Sequence, residues 1–518
     1  MNLVIVAVLI VYLVVLLAIG AWGGRGSANM KGYYVAEKKL PAWVIAFSSN
    51  ATGESAWLLL GLTGMGYAVG MHALWIVMGE VLGVALAWVF VARPFKEYTD
   101  RYNSITVPDY LHSRFRDQSH VFRIIAAVVI LSMVTFYVAA QLTASGKAFG
   151  SFLNLGYALG VVLGAAVILY YTTVGGFKAV AYSDLLQGVL MLGCLVTLPI
   201  VGIIDAGGWM PLMESLRATD PSLLNPLGSY GLTLSGVLSA LGFVAIGLAF
   251  LGSPQLLTRF MSARSQDDIV SGGLVAVLCI VCFDVGAILS GMAGRMLFPG
   301  LADPEMILPE MSHGLFPSVF TGIFLVVVLA AIMSTVDSLL ILASSVVMKD
   351  VVQEIFRPDL SEKSLVGYGK LVTIVIGVLA IVMALTEARV IFWFVLFAWS
   401  GIACAFTPVV LCSLFWKRTT RAGAVAGMIT GFVSTVAWVL LFKASFYDLY
   451  EMIPGFLLGL SATVIVSLMT EPPEGAAEEF DDVWLSIGSG SRSRARSASA
   501  AGMVAGAATP SAPSENDF

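Results

Sequence analysis

Thirteen apolar runs, each about as long as a bilayer is thick, constrain this chain more than anything else in it. A transmembrane helix needs roughly 20 mostly apolar residues. The runs lie at 3–24, 41–70, 72–92, 122–149, 153–173, 176–204, 230–253, 266–297, 314–348, 366–387, 389–416, 421–442 and 452–470. They are numbered here as spans 1 to 13. Such runs are far too long for barrel strands, so the chain is expected to be an all-α integral membrane protein. Of its 518 residues 58% are hydrophobic and 12% charged, against about 25% charged in a soluble domain. That balance excludes a soluble enzyme, a disordered protein and a nucleic-acid binder. The five cysteines (Cys194, Cys279, Cys282, Cys404 and Cys412) all sit inside apolar stretches. They read as buried thiols, not as a disulfide framework or a metal site. The first run, from Leu3 to about Trp22, has no basic region before it, and it reads as a span, not a cleaved leader.

Lys and Arg concentrate in the cytoplasmic loops of membrane proteins. With the N-terminus outside, 23 of the 28 basic residues fall on the cytoplasmic side. They include Arg25, Lys31, Lys38 and Lys39, the group from Arg93 to Arg123, Arg259 and Arg264. Only Lys147, Arg217, Arg295, Arg389 and Lys443 fall outside. Adding or losing one central span would scramble the split. The expectation is an external N-terminus, a cytoplasmic C-terminus and a multi-pass protein of the plasma (inner) membrane.

Near Glu471 the composition changes. The stretch 471–482 is acidic, and a Ser/Arg/Ala/Gly run follows. Residues 1–470 read as the membrane domain. Residues 471–518 read as a disordered cytoplasmic tail too short for a signalling domain.

Polar clusters inside apolar spans are costly and point to ion or substrate pathways. In span 2, Asn50, Thr52, Gly53, Glu54 and Ser55 suggest a discontinuous helix whose freed carbonyls hold a cation. Span 7, with Gly247, Gly252 and Pro254, is the other interrupted span, five spans later. Paired breaks of this kind mark the binding site of an inverted-repeat transporter. In span 9, Ser334, Asp337 and Ser338 share a helix face beside Thr335, an oxygen set suited to a hard cation. Span 6 carries Ser183, Asp184 and Gln187. The plain alternative for each cluster is a polar contact between neighbouring helices. Glu80 and Asp284 are further embedded acids without an assigned role.

Seven stretches carry a family likeness. They are Ser55–Gly64, Ile105–Phe115, Val174–Asp184, Gly252–Met261, Leu329–Ser338, Phe406–Val410 and Ile453–Gly459. In that order and spacing the chain resembles the sodium:solute symporter family, most closely its sodium/proline symporter branch. The resemblance implies a LeuT-like core of two inverted five-helix repeats, about 41–204 and 230–416, with one helix before and two after. It implies a sodium site formed by the carbonyls of Ala51, Glu54 and Ala331 and the hydroxyls of Ser334 and Thr335. It adds a second cation site at Asp184, Ser334, Asp337 and Ser338. The substrate pocket it implies is lined by Ser55, Ala56, Trp57, Tyr137, Ile246 and Phe250, with Phe397 and Ser400 from span 11. The chain departs from the branch where an Asp-Met-Ser-Gly-Trp run becomes Gly53-Glu54-Ser55-Ala56-Trp57. The usual Trp and Tyr of span 7 are Ile246 and Phe250.

The function expected is a sodium-coupled symporter importing a small organic solute by alternating access, with L-proline or a related amino acid foremost. Sodium is the expected coupling ion, and the partners are that solute and the lipid bilayer. No obligate protein partner is evident. No nucleophile–base pairing or phosphate loop suggests an enzyme. The alternatives are another solute (a sugar, a carboxylate, a different amino acid), proton coupling through Glu54 or Asp184, a channel, and a membrane sensor built on a transporter-like body.

Overall fold

The computed structural model describes residues 2–25, 29–386 and 390–488. Arg389, the ends of spans 10 and 11 that meet there, and the tail arginines Arg492, Arg494 and Arg496 lie outside the described residues. Among those described, the chain is helical, and 11 helices are long and apolar enough to cross a membrane. In hydrocarbon every backbone N–H and C=O must find a partner within its own segment, and a helix provides that.

Two of the 11 are too long for one crossing. Ala42–Arg101 has 60 residues and Tyr157–Asp205 has 49. At 1.5 Å per residue the first would reach about 90 Å, three times the hydrocarbon thickness. Each is interrupted by a glycine with positive φ, Gly70 at φ 56 and Gly176 at φ 62. A Cβ on Gly70 would lie 2.2 Å from the Leu223 carbonyl oxygen. These two positions fall at the junctions between apolar runs 2 and 3 and between runs 5 and 6 of the sequence.

Span 9 (Ser318–Ser345) and span 11 (Ile391–Phe415) are buried along nearly their whole length. Span 1 (Leu3–Gly23), span 12 (Arg421–Ala437) and span 13 (Met452–Met469) lie at the periphery. They expose Ile10, Val11, Val14, Val433, Leu457 and Ile465, which is the pattern of helices facing lipid tails. A short parallel bridge joins Leu40, just before span 2, to Ala263, just after span 7. It ties together the ends of the two interrupted spans. A charged knot joins the stretch after span 3 to the end of span 9. Arg123 pairs with Asp109 at 2.7 Å and with Asp350, while Thr106 Oγ1 donates to Asp350 at 2.8 Å.

The tail differs from expectation. Residues 476–488 form a helix, with Ala476 and Val483 buried. The Trp484 indole N–H donates to the Leu414 carbonyl at 3.1 Å, and its ring packs on Phe415. Composition alone made this stretch look unstructured, because its few apolar residues are diluted by acids. They are spaced to cover the exposed end of span 11. The tail from 489 onward lies outside the described residues.

Candidate functional site

Span 2 breaks at Ser55. Helix Ala42–Ala56 carries Ser55 at φ 55, ψ −168, a left-handed setting that costs a serine on the order of 1–3 kcal/mol. The break frees backbone groups on both sides. Upstream, Ser334 Oγ lies 2.9 Å from the Ala51 carbonyl and 3.1 Å from that of Ala331. Thr335 Oγ1 donates to the Thr52 carbonyl at 3.2 Å. Ala51, Ala331, Ser334 and Thr335 are therefore brought together, and their donor atoms are all oxygens. That is the ligand chemistry a hard cation takes. The Glu54 carbonyl differs, since it accepts from the Trp57 N–H.

The second cluster contains a residue that the charge distribution along the chain places in a cytoplasmic loop. Arg259, from helix Pro254–Ser262, is buried among Thr52, Asp184 and Ser338. Its Nη2 donates to Thr52 Oγ1 at 2.6 Å, to Asp184 Oδ2 at 3.2 Å and to Ser338 Oγ. Nε reaches Ser48 Oγ at 3.1 Å, and Nη1 reaches the Gln255 carbonyl at 2.7 Å. Ser48 also donates to Asp184 at 2.6 Å, and Ser338 donates to Asp337 at 3.3 Å. Asp184, Asp337 and Ser338 thus converge, with a guanidinium among them. Asp184 Oδ1 and Asp337 Oδ2 have no hydrogen-bond partner.

A third cluster unites the acids that had no role. Glu54, Glu80 and Asp284, from spans 2, 3 and 8, are buried, each with a carboxylate oxygen within 4.8 Å of the others. Glu80 sits within hydrogen-bonding reach of both neighbours. Both oxygens of Glu54 and of Asp284 lack any other partner. The Glu54 side chain therefore faces away from the Ser334–Thr335 crossing that its backbone adjoins.

Beyond the break, aromatic side chains from four spans pack together. Trp57 stacks on Phe392 with centroids 5.4 Å apart. Tyr137 and Phe250 both meet Trp399 edge-on, at 6.4 and 5.4 Å. The Trp399 indole N–H donates to the Ile246 carbonyl at 3.2 Å. That bond is open because span 7 tightens over Ile246–Leu251 before turning at Gly252. Ala56 N–H donates to Gln141 Oε1 at 3.1 Å, and Trp57 N–H to Ser55 Oγ at 3.1 Å. Ser55, Ala56, Trp57, Tyr137, Ile246 and Phe250 are brought together here.

The two span 11 positions are not. Phe397 packs on Phe136 at 5.8 Å and lines a separate apolar groove with Phe432. Ser400 bonds back to the Phe397 carbonyl at 3.0 Å. Trp399 takes the place of Phe397, because residues two apart on a helix point to opposite sides.

Known proteins resemble this chain in sequence and in fold. The family model of the sodium:solute symporter family matches residues 33–431. The high-affinity proline transporter PutP of Bacillus subtilis is 35% identical over 473 residues, covering 90% of this chain and 98% of that protein. The sodium/proline symporter of Escherichia coli is 34% identical over 478 residues, covering 90% and 94%. Among solved structures, a Na+-coupled sialic acid symporter in a substrate-bound, outward-open state superposes with a TM-score of 0.77. It is 19% identical and covers 91% of this chain and 99% of that one. The nucleobase-cation-symport-1 family transporter Mhp1 gives 0.57 at 14% identity, covering 88% and 99%.

Proposed function

The chain belongs to the sodium:solute symporter family, and we propose that the solute it imports with sodium is L-proline. Sodium is its coupling ion. The single observation that carries the reading is the crossing of spans 2 and 9. There the Ser334 and Thr335 hydroxyls meet carbonyls freed by the Ser55 break. The proposed sodium ligands are the carbonyls of Ala51, Glu54 and Ala331 and the hydroxyls of Ser334 and Thr335. Bound sodium supplies a positive charge that these oxygens can neutralise only while the two spans are apposed.

Proline enters from the relatives' substrate and from the pocket's surfaces. Trp57, Tyr137, Phe250 and Trp399 offer rings to an apolar five-membered ring, and Ser55 lies at the same break. The usual span 7 Trp and Tyr are absent, and Trp399 of span 11 supplies an indole in their stead. We read the two overlong helices as two spans each. That makes thirteen, with spans 2–6 and 7–11 as inverted halves. The 23-to-5 distribution of basic residues supports an external N-terminus in the inner membrane.

At the second cluster Arg259 offers one positive charge against two carboxylates. A second sodium at Asp184 Oδ1 and Asp337 Oδ2, beside Ser334 and Ser338, would balance them. The consequence is large. One sodium crossing 100 mV contributes about 2.3 kcal/mol, and a tenfold gradient about 1.4 more. Together they support roughly 500-fold accumulation with one ion and the square of that with two.

Uptake of labelled L-proline into proteoliposomes, with and without an inward sodium gradient, tests the reading. Accumulation only with the gradient is expected. Uptake indifferent to sodium, or proline that fails to compete at millimolar levels, refutes it.

A further inference from the structure

Span 4 turns two buried polar side chains toward the break in span 2. Tyr137 and Gln141 are one helical turn apart and fully buried. The Tyr137 hydroxyl reaches toward Ser55 without closing a hydrogen bond.

A half-helix N-terminus in mid-membrane ordinarily offers its free N–H groups to an anion. Here the first two are already taken. Ala56 N–H is held by Gln141 Oε1, and Trp57 N–H by Ser55 Oγ. A substrate carboxylate that used them would first have to displace protein acceptors.

The same bond orients Gln141. An N–H needs an acceptor, so the amide oxygen must face Ala56 and the amide nitrogen must face away. That nitrogen carries two N–H donors, is buried and has no partner. A buried unpaired donor is costly unless a ligand satisfies it.

We propose that Gln141 is a substrate-binding residue whose Nε2 donates to the carboxylate of the imported amino acid, in place of the span 2 half-helix N-terminus. The inference rests on the amino-acid reading of the pocket. It makes Gln141 a determinant of specificity for solutes that carry a carboxylate. A site built to hydrogen-bond one group rejects analogues lacking it far more strongly than an apolar pocket does.

Gln141→Glu separates this role from a structural one. The variant keeps an acceptor for Ala56 N–H, loses the donor and adds a negative charge. Competition by L-proline and by L-prolinamide, in which the carboxylate is a neutral amide, is measured in wild type and variant. The ratio of the two inhibition constants is expected to move by about tenfold or more toward the amide. The half-saturating sodium concentration should stay within twofold, since Gln141 touches none of the proposed sodium ligands. Gln141→Met, which removes the donor without adding charge, serves if the first variant does not reach the membrane. Its KM for proline should rise by about tenfold. An unchanged ratio and an unchanged KM in variants present at normal levels overturn the proposal. A wild type that ignores proline fails the proline reading alone, and the ratio is then read on the acid and amide of the amino acid it accepts. A wild type that accepts only uncharged solutes overturns this inference as well.

Discussion

Arg259 Nη2 lies 3.2 Å from Asp184 Oδ2, and both side chains are sealed from solvent, at 1% and 0% exposure. The pair joins the helix that follows span 7, Pro254–Ser262, to span 6 beside the break in span 2. Breaking a buried pair costs about 3–5 kcal/mol: loss of Arg259 leaves the Asp184 and Asp337 carboxylates uncompensated, and loss of Asp184 removes the charged acceptor shared by Arg259 and Ser48. Asp184→Asn and Arg259→Met should each lower the midpoint of thermal unfolding markedly. The double variant should be less destabilised than the sum of the two. Strict additivity in that double-mutant cycle would show that the two residues act independently.

Sodium dependence probes the crossing of spans 2 and 9. Ser334→Ala and Thr335→Ala should each raise the sodium concentration for half-maximal uptake by about tenfold or more, since a lost ligand costs about 1.4 kcal/mol. Asp337→Asn should leave that first site intact and lower the Hill coefficient for sodium from near 2 toward 1. Unchanged sodium curves in both hydroxyl variants would remove the proposed site.

The parts of this site that were legible were those with a local signature. Ser334, Asp337 and Ser338 announce themselves by helical spacing, and the span 2 break by polar residues around Gly53 and Ser55. Arg259 was not legible, because an arginine at the end of an apolar run reads as a loop charge under the same rule that orients the spans. Its burial depends on how span 7 turns at Gly252, which no local pattern encodes. Gln141 is a single amide in an apolar helix, and that is equally what helix-to-helix adhesion looks like. Trp399 and Phe397 are both large, apolar and two residues apart. Only the packing of span 11 decides which one faces the pocket. Likewise Glu54, Glu80 and Asp284 are 230 residues apart at the extremes, and tertiary structure alone joins them.

Lys38, in the connection before span 2, gives the fold a pH dependence. Burial lowers its ammonium to about 8 from 10.5, against the opposing pull of Asp100 at 3.1 Å. A base with a lowered folded value holds fewer protons than the unfolded chain between those limits. Stability from this group therefore rises with pH across that window. The thermal midpoint of wild type should gain on that of Lys38→Met between pH 8 and pH 10.5. A flat difference across the window would show that Lys38 is not desolvated in the folded protein.

The helix at 476–488 should contribute to stability. A chain ending after Gly488 keeps the Trp484–Leu414 bond and the Phe415 contact, and it should unfold and transport as the full chain does. A chain ending after Pro473 loses buried Val483 and the Trp484 contacts. Full burial of such side chains is worth about 1.5–3 kcal/mol each. Its thermal midpoint should fall. Two truncations with the same midpoint would mean the helix adds nothing to the bundle.

The acid cluster should respond in the opposite sense to the Arg259–Asp184 pair. Glu54, Glu80 and Asp284 hold three carboxylates within 4.8 Å, and none is joined to Lys or Arg among the described ion pairs. Like charges in a low-dielectric interior repel, so an amide in place of one acid relieves repulsion here, whereas Asp184→Asn breaks the ion pair with Arg259. Glu80→Gln is the sharpest choice, because Glu80 sits between the other two. The amide keeps the shape and adds two N–H donors for neighbouring oxygens that lack partners. Its thermal midpoint in detergent should equal or exceed that of wild type, while Asp184→Asn falls. A drop in Glu80→Gln comparable to that in Asp184→Asn would mean that a positive charge is held among the three acids in the folded protein.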